Sequence, residues 1–115
     1  IGSPPPAIMS VINLNEGSFE TFVGQSGLSI VDFWAPWCGP CKSMLPVVEE
    51  ISKAYEGKVK IAKVNIDENS ETPGKYGVMS IPSFFIFRGG EPVGNFVGVK
   101  TKEFISGELD KILEG

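Results

Sequence analysis

Histidine is absent from the 115 residues. No imidazole is available as a general base, as partner to a nucleophilic serine or cysteine, or as a metal ligand, which removes Ser/His and Cys/His catalysis and most catalytic zinc sites. Cysteine is scarce: the two present are Cys38 and Cys41, and so close a pair cannot alone frame a small secreted disulfide scaffold. An intracellular, cytoplasmic chain is expected. Long apolar runs are missing too. The longest falls far short of the ~20 residues that span a bilayer, so no membrane partner is expected. There is no Lys/Arg cluster either. With 10 Lys plus Arg against 14 Asp plus Glu, the formal net charge is −4, which argues against counterion-release binding to nucleic acid or an anionic lipid surface.

What remains is enough for one folded domain. At 42% hydrophobic and 21% charged residues, a chain of this length buries roughly two-thirds of the surface it exposes when unfolded and needs no staples. Residues 1–8 (IGSPPPAI) have neither the basic nor the apolar region of a signal peptide. They are expected to be a disordered tail or a processing remnant, with translation starting at Met9 and the domain covering residues 9–115.

The pattern alternates between strand and helix. Residues 8–14 are expected as a strand, followed by a short helix capped at Ser18 that carries Phe19, Phe22 and Val23. Leu28 to Ala35 (LSIVDFWA) is β-branched and aromatic around a single acid, the profile of a central strand buried on both faces. From Gly39 to Tyr55, Met44, Val48, Ile51 and Tyr55 keep a 3.6-residue period. Pro46 lies inside that span, where its ring frees the Lys42 carbonyl. The unbroken period favours one bent helix over a second helix start.

Val59 to Ile66 alternates with period two, so strand, helix and strand form a right-handed parallel crossover. Pro73 and Gly74 keep any helix between Asn69 and Tyr76 short. Ser83 to Phe87 and Pro92 to Val99 bracket Arg88-Gly89-Gly90-Glu91, a tight antiparallel hairpin. Thr101 is placed to cap a last helix with an apolar stripe of Phe104, Ile105, Leu109, Ile112 and Leu113. The expected fold is α/β: a central mixed sheet of about five strands flanked by about four helices on both faces.

Chemistry concentrates at Trp37-Cys38-Gly39-Pro40-Cys41, where the central strand hands over to the long helix. Helical residues three apart have Cβ atoms ~5–6 Å apart, close enough for a disulfide after small backbone adjustment. Cys38 sits at the helix N-terminus, where unpaired N–H groups favour a thiolate, and the first turn tolerates Pro40. Cys38 is the expected nucleophile. Cys41, one turn deeper, is expected to be more buried and to keep its proton until needed.

Phe33 to Lys42 (FWAPWCGPCK) resembles the active-site signature of the thioredoxin family, with Asp32, Pro46, Lys63, Asp67, Ile81-Pro82, Gly90 and Gly98 at further family positions. The resemblance covers about residues 12–114; Ser83 replaces the threonine that commonly follows the family's active-site proline. It implies the thioredoxin fold and reduction of protein disulfides, with Cys38 attacking and Cys41 resolving the mixed disulfide. A flavin-dependent thioredoxin reductase would be the electron donor. A monomer without resident cofactor or metal is expected. A thiol pKa near 7 is a family property carried over, not one read from these residues. Lowering a thiol from ~8.5 to ~7 raises its thiolate fraction at pH 7 about 16-fold but costs roughly 5-fold in nucleophilicity, leaving ~3-fold. Placement is the larger lever, since a well-oriented resolving thiol acts at an effective concentration of ~10⁵ M or more.

Asp32 interrupts an apolar strand, and ionised carboxylates avoid such places unless used; it is a candidate acceptor for the Cys41 proton, through water. The bland alternative is a solvated strand-edge acid. Lys63 reads on alternation alone as an ordinary strand lysine, while the resemblance points it toward Asp32. Only ~5–6% of X–Pro bonds are cis, so the sequence alone favours trans at Ile81-Pro82. The resemblance makes that bond cis, with Pro82 barring metal from the thiols and the Ile81 backbone free to pair with an extended substrate. Trp37, Gly39, Pro40, Ile81, Pro82, Val97, Gly98 and Val99 would then form an apolar substrate-docking patch. Trp34 is assigned to core packing. Competing functions are an oxidase or isomerase of the same fold, a metal or cluster site shared between two chains, and a binding subunit without turnover.

Overall fold

The computed structural model describes residues 11–114, and the expectations for residues 1–8 and for Met9 lie outside them. Five strands and four helical bodies alternate: β1 (Val11–Leu14), α1 (Glu16–Val23), β2 (Leu28–Trp34), α2 (Gly39–Ser43) continuing into α3 (Leu45–Ala54), β3 (Val59–Asn65), α4 (Glu71–Lys75), β4 (Ser83–Arg88), β5 (Glu91–Val97) and α5 (Lys102–Glu114). The strands form one mixed sheet in the order β1-β3-β2-β4-β5. β3 is parallel to both β1 and β2, while β4 is antiparallel to β2 and β5. The apolar strand interrupted by a single acid, β2, is thus the central one.

Alternation along β2 divides the core into two layers. Leu28 and Ile30 join Val48 and Ile51 of α3, Ile61, Phe84 and Ile86 of neighbouring strands, and Ile105 and Leu109 of α5. Val31 and Phe33 point to the opposite face, among Phe19, Phe22 and Val23 of α1 and Phe85 and Phe87 of β4. Edge-on ring contacts, Phe19 to Phe87 at 5.7 Å and Phe33 to Phe85 at 5.8 Å, lock the second layer. At the β4–β5 hairpin, Gly89 and Gly90 adopt φ of 56° and 89°, a left-handed pair that glycine reaches without steric cost.

Several elements differ from the sequence expectation. The helix expected from Gly39 to Tyr55 is interrupted at Met44, so the bend expected at Pro46 takes the form of two limbs. Pro46 has no N–H for the Lys42 carbonyl. The chain tightens instead, with the Met44 N–H donating to the Cys41 carbonyl at 3.2 Å, and resumes when Val48 N–H donates to the Met44 carbonyl at 2.9 Å. The cap of α1 is Asn15, not Ser18. Ser18 is its reciprocal partner: its N–H donates to Asn15 Oδ1 at 3.0 Å, and the Asn15 N–H donates to Ser18 Oγ at 3.1 Å. Thr101 does cap α5, its Oγ1 accepting from Phe104 N–H at 3.0 Å.

The α5 stripe is narrower than its sequence suggests. Ile105 and Leu109 are buried, but Phe104 and Leu113 are 41% and 40% exposed. Truncation should show the difference. Leu109→Ala is expected to cost about 3 kcal/mol in urea unfolding and Leu113→Ala less than about 1 kcal/mol; comparable losses would mean that α5 docks on a different face.

Candidate active site

β2 ends at Trp34, and the chain turns through Ala35, Pro36 and Trp37 into α2. The turn closes with the Cys38 N–H donating to the Ala35 carbonyl at 3.1 Å. Cys38 is the N-cap of α2 in extended conformation, with Gly39 and Pro40 filling the first helical positions. Cys38 and Cys41 are joined as a disulfide, their Cα atoms 5.3 Å apart. The Cys41 backbone N–H donates to Cys38 Sγ at 3.2 Å. That donor is one of the helix's otherwise unpaired N–H groups, and it favours negative charge on the Cys38 sulfur once the bond is reduced. Cys41 is fully buried and Cys38 slightly less so.

Across from the disulfide, the Ile81-Pro82 peptide is cis, and the Ile81 carbonyl oxygen lies 4.0 Å from Cys38 Sγ. The Pro82 carbonyl accepts from the Gly98 N–H at 2.8 Å, which ties the two loops together. The docking-patch residues divide by exposure. Trp37, Gly39, Pro40, Val97 and Val99 are exposed, Ile81 and Gly98 half-buried and Pro82 buried.

Asp32 lies in the interior on the central strand β2, 1% exposed, so it is not a strand-edge acid. Its register partners are Lys63 on β3 and Phe84 on β4. A cavity of about 10 Å³ beside it is lined by Ile30, Val48, Ile51, Ile61, Phe84 and Ile105. Neither carboxyl oxygen has a hydrogen-bond partner among the described residues. Burial pushes the carboxyl from 3.8 up to about 7, against a smaller downward pull from Lys63. Lys63 stands opposite Asp32 but makes no ion pair with it, its ammonium lying over the Trp34 ring.

One residue of the site went unassigned at the sequence level beyond its place at a family position. Asp67 accepts the Trp37 indole N–H at 2.9 Å through Oδ2 and 3.2 Å through Oδ1, fixing a side chain that is otherwise 67% exposed. The signal was available: parallel β2 and β3 end on the same side of the sheet, so the loop after Asn65 must meet the loop after Trp34. The Ile66 N–H donating to the Trp34 carbonyl at 2.9 Å makes that junction. Among the described residues no group of three or more Cys, Asp or Glu could hold a metal ion. No described helix is long and apolar enough to cross a membrane.

A family model described as Thioredoxin matches residues 10–111. The chain belongs to the thioredoxin family. Curated thioredoxins of Staphylococcus aureus, from strains Mu50, MW2 and N315 among others, are each 47% identical over 105 residues, covering 91% of this chain and 100% of theirs. A thioredoxin-family chain with its two cysteines paired in this way is a dithiol–disulfide oxidoreductase.

Two outcomes test the site's electrostatics and positioning. Because the folded Asp32 carboxyl binds its proton up to about pH 7 and the unfolded one only to about 3.8, stability falls as pH rises between those values. Asp32→Asn is therefore expected to stabilise by roughly 4 kcal/mol in urea unfolding at pH 8, at ~1.4 kcal/mol per pH unit, and by little at pH 4. Equal gains at both pH values would contradict this. Asp67→Ala should free the Trp37 ring, seen as faster exchange of its indole N–H; unchanged exchange would show that the ring is held by other contacts.

Proposed function

We propose that this chain reduces protein disulfides, with Cys38 as the attacking and Cys41 as the resolving sulfur. The observation that carries the reading is the asymmetry of the pair. Cys38 caps the helix, accepts the Cys41 N–H and faces the Ile81 loop, while Cys41 is wholly enclosed. In the first step the Cys38 thiolate bonds to one substrate sulfur and the substrate disulfide breaks, its second sulfur leaving as a thiolate. Cys41, giving up its proton, then bonds to Cys38 Sγ and releases the remaining substrate sulfur. Two electrons pass to the substrate and the Cys38–Cys41 disulfide is left.

Asp32 takes the Cys41 proton, and Lys63 biases the charge of Asp32. An acceptor that titrates near neutral pH suits that role, since it can both take and return a proton. Trp37, Gly39, Pro40, Ile81, Pro82, Val97, Gly98 and Val99 dock the substrate, the Ile81 backbone pairing with an extended segment. The buried Pro82 bars metal from the thiols. A flavin-dependent thioredoxin reductase returns the electrons, and the chain works as a cytoplasmic monomer. The slightly acidic, histidine-free composition is consistent with this and supplies no rival chemistry.

Insulin-disulfide reduction driven by dithiothreitol tests the reading. Wild type is expected to turn over. Cys41→Ser is expected to lose turnover more than ~100-fold and, when prereduced and mixed with insulin after dithiothreitol is removed, to accumulate a covalent adduct at Cys38, because the intramolecular resolving step is gone. An adduct at Cys41 in Cys38→Ser, or turnover by either variant near the wild-type rate, would overturn the assignment. A strongly oxidising potential for the pair would instead indicate an oxidase.

A further inference from the structure

Lys63 leaves β3 directly opposite Asp32, yet its ammonium lies over the face of Trp34, 4.9 Å from the ring centroid. That is within cation–π range. Trp34 is two residues beyond Asp32 on β2 and shares its side of the sheet, at the end where the ring packs against Ala35, Cys38 and Cys41. The Trp34 indole N–H is buried and has no hydrogen-bond partner among the described residues, so contacts on the ring, not a polar anchor, set its position. The walls of the cavity beside Asp32, contributed by β2, β3, β4, α3 and α5, are apolar and carry no titratable group besides Asp32 itself. Lys63 is the one charge whose field reaches the carboxyl among the described residues.

We propose that Trp34 is a positioning residue that seats the Lys63 ammonium and keeps it out of an ion pair with Asp32, leaving that carboxyl able to take and return the Cys41 proton. The inference rests on Asp32 being the proton acceptor. Its physical content is a choice between two places for one cation. Paired at contact, an ammonium holds a carboxylate ionised and lowers its proton affinity by about one to three pH units. Starting from a carboxyl that titrates at about 7, such pairing would cut the protonated fraction at pH 7 from roughly half to about a tenth or less. The anion left behind would hold a proton too weakly to draw one from a buried thiol. Over the indole, the cation is stabilised by the ring's negative face and only biases Asp32 from a distance.

Carboxyl-carbon NMR titration of Asp32 in the intact, disulfide-bonded chain tests this. In Trp34→Leu the Asp32 midpoint is expected to fall by about one pH unit or more, a tenfold or greater change in acidity. Trp34→Phe, which keeps an aromatic face, should stay close to wild type. On a Lys63→Met background, Trp34→Leu should move nothing, because Trp34 acts through the lysine. An unchanged or raised midpoint in Trp34→Leu overturns the proposal, as does an equal fall on the Lys63→Met background. Should Trp34→Leu not fold, wild type decides: the Lys63 ε-methylene protons must resonate upfield of an ordinary lysine, and an ordinary position rejects the ring contact. The underlying reading fails separately, if Asp32→Asn leaves the pH profile of mixed-disulfide resolution unchanged whatever Trp34 does.

Discussion

The parallel pairing of β2 with β3, in the register that sets Asp32 against Lys63, is the constraint on which the rest of the site depends. Parallel strands finish on the same side of a sheet, so the turn into α2 and the loop after Asn65 emerge as neighbours. The first presents Trp37 and Cys38; the second presents Asp67, which holds the Trp37 indole. The same pairing places the buried Asp32 carboxyl and the charged Lys63 on adjacent strands. A slip of one residue would exchange the two faces of β2, putting Asp32 among the phenylalanines and Phe33 toward α3.

An acid without hydrogen-bond partners in the middle of a sheet is a cost, and the surrounding packing shows how the fold tolerates it. Asp32 is flanked by Ile30, Ile61, Phe84 and Ile105 on a layer otherwise made of aliphatic and aromatic side chains. The cost is met by neutralisation: near pH 7 the carboxyl is protonated about half the time, which lowers the desolvation penalty it would incur as a permanent anion. The apolar layer that destabilises the charge is also what tunes it. A hydrogen-bonding neighbour, in place of Phe84 for instance, would relieve the strain on stability and return the carboxyl to its ordinary acidic range.

How much of this was legible beforehand follows from how local each signal is. The strand order at the centre, the crossover, the Gly-Gly hairpin and the Thr101 cap rest on contiguous patterns, and the sheet has them where those patterns lie. The resemblance carried by Trp37 to Cys41 located the redox pair outright. The misreadings lie where two local signals compete. Asn15 and Ser18 are both good capping residues, and only the reciprocal hydrogen bonds assign their order. Periodicity through Pro46 suggested continuity, but a missing N–H at one residue outweighs an apolar stripe on the other side of the helix. Phe104 and Leu113 continue the period of α5 beyond the width of the sheet available to cover them. The side-chain pairings of Trp37 with Asp67 and of Lys63 with Trp34 were harder to read for a different reason, although the strand pairing brings the two loops of the first together. Each joins residues about 30 positions apart whose meeting depends on strand register and rotamer, which no window of sequence contains.

Burial explains why the proposed resolving step needs an internal base at all. Cys41 has no exposed surface, so bulk water cannot collect its proton, and its backbone N–H is already committed to Cys38 Sγ. Helix-terminal N–H groups lower the proton affinity of the outer sulfur but do nothing to remove a proton from the inner one. An acceptor must therefore come from within the protein, and it must bind a proton strongly enough to compete with a thiol while still releasing it between turnovers. An ordinary carboxylate fails the first requirement and an ordinary lysine amine, which stays protonated at neutral pH, fails the second. A carboxyl raised to about 7 by its apolar walls satisfies each in part. The burial of Cys41 and the apolar walls around Asp32 thus bear on the same proposed proton transfer, the first by closing off bulk water and the second by tuning the acceptor.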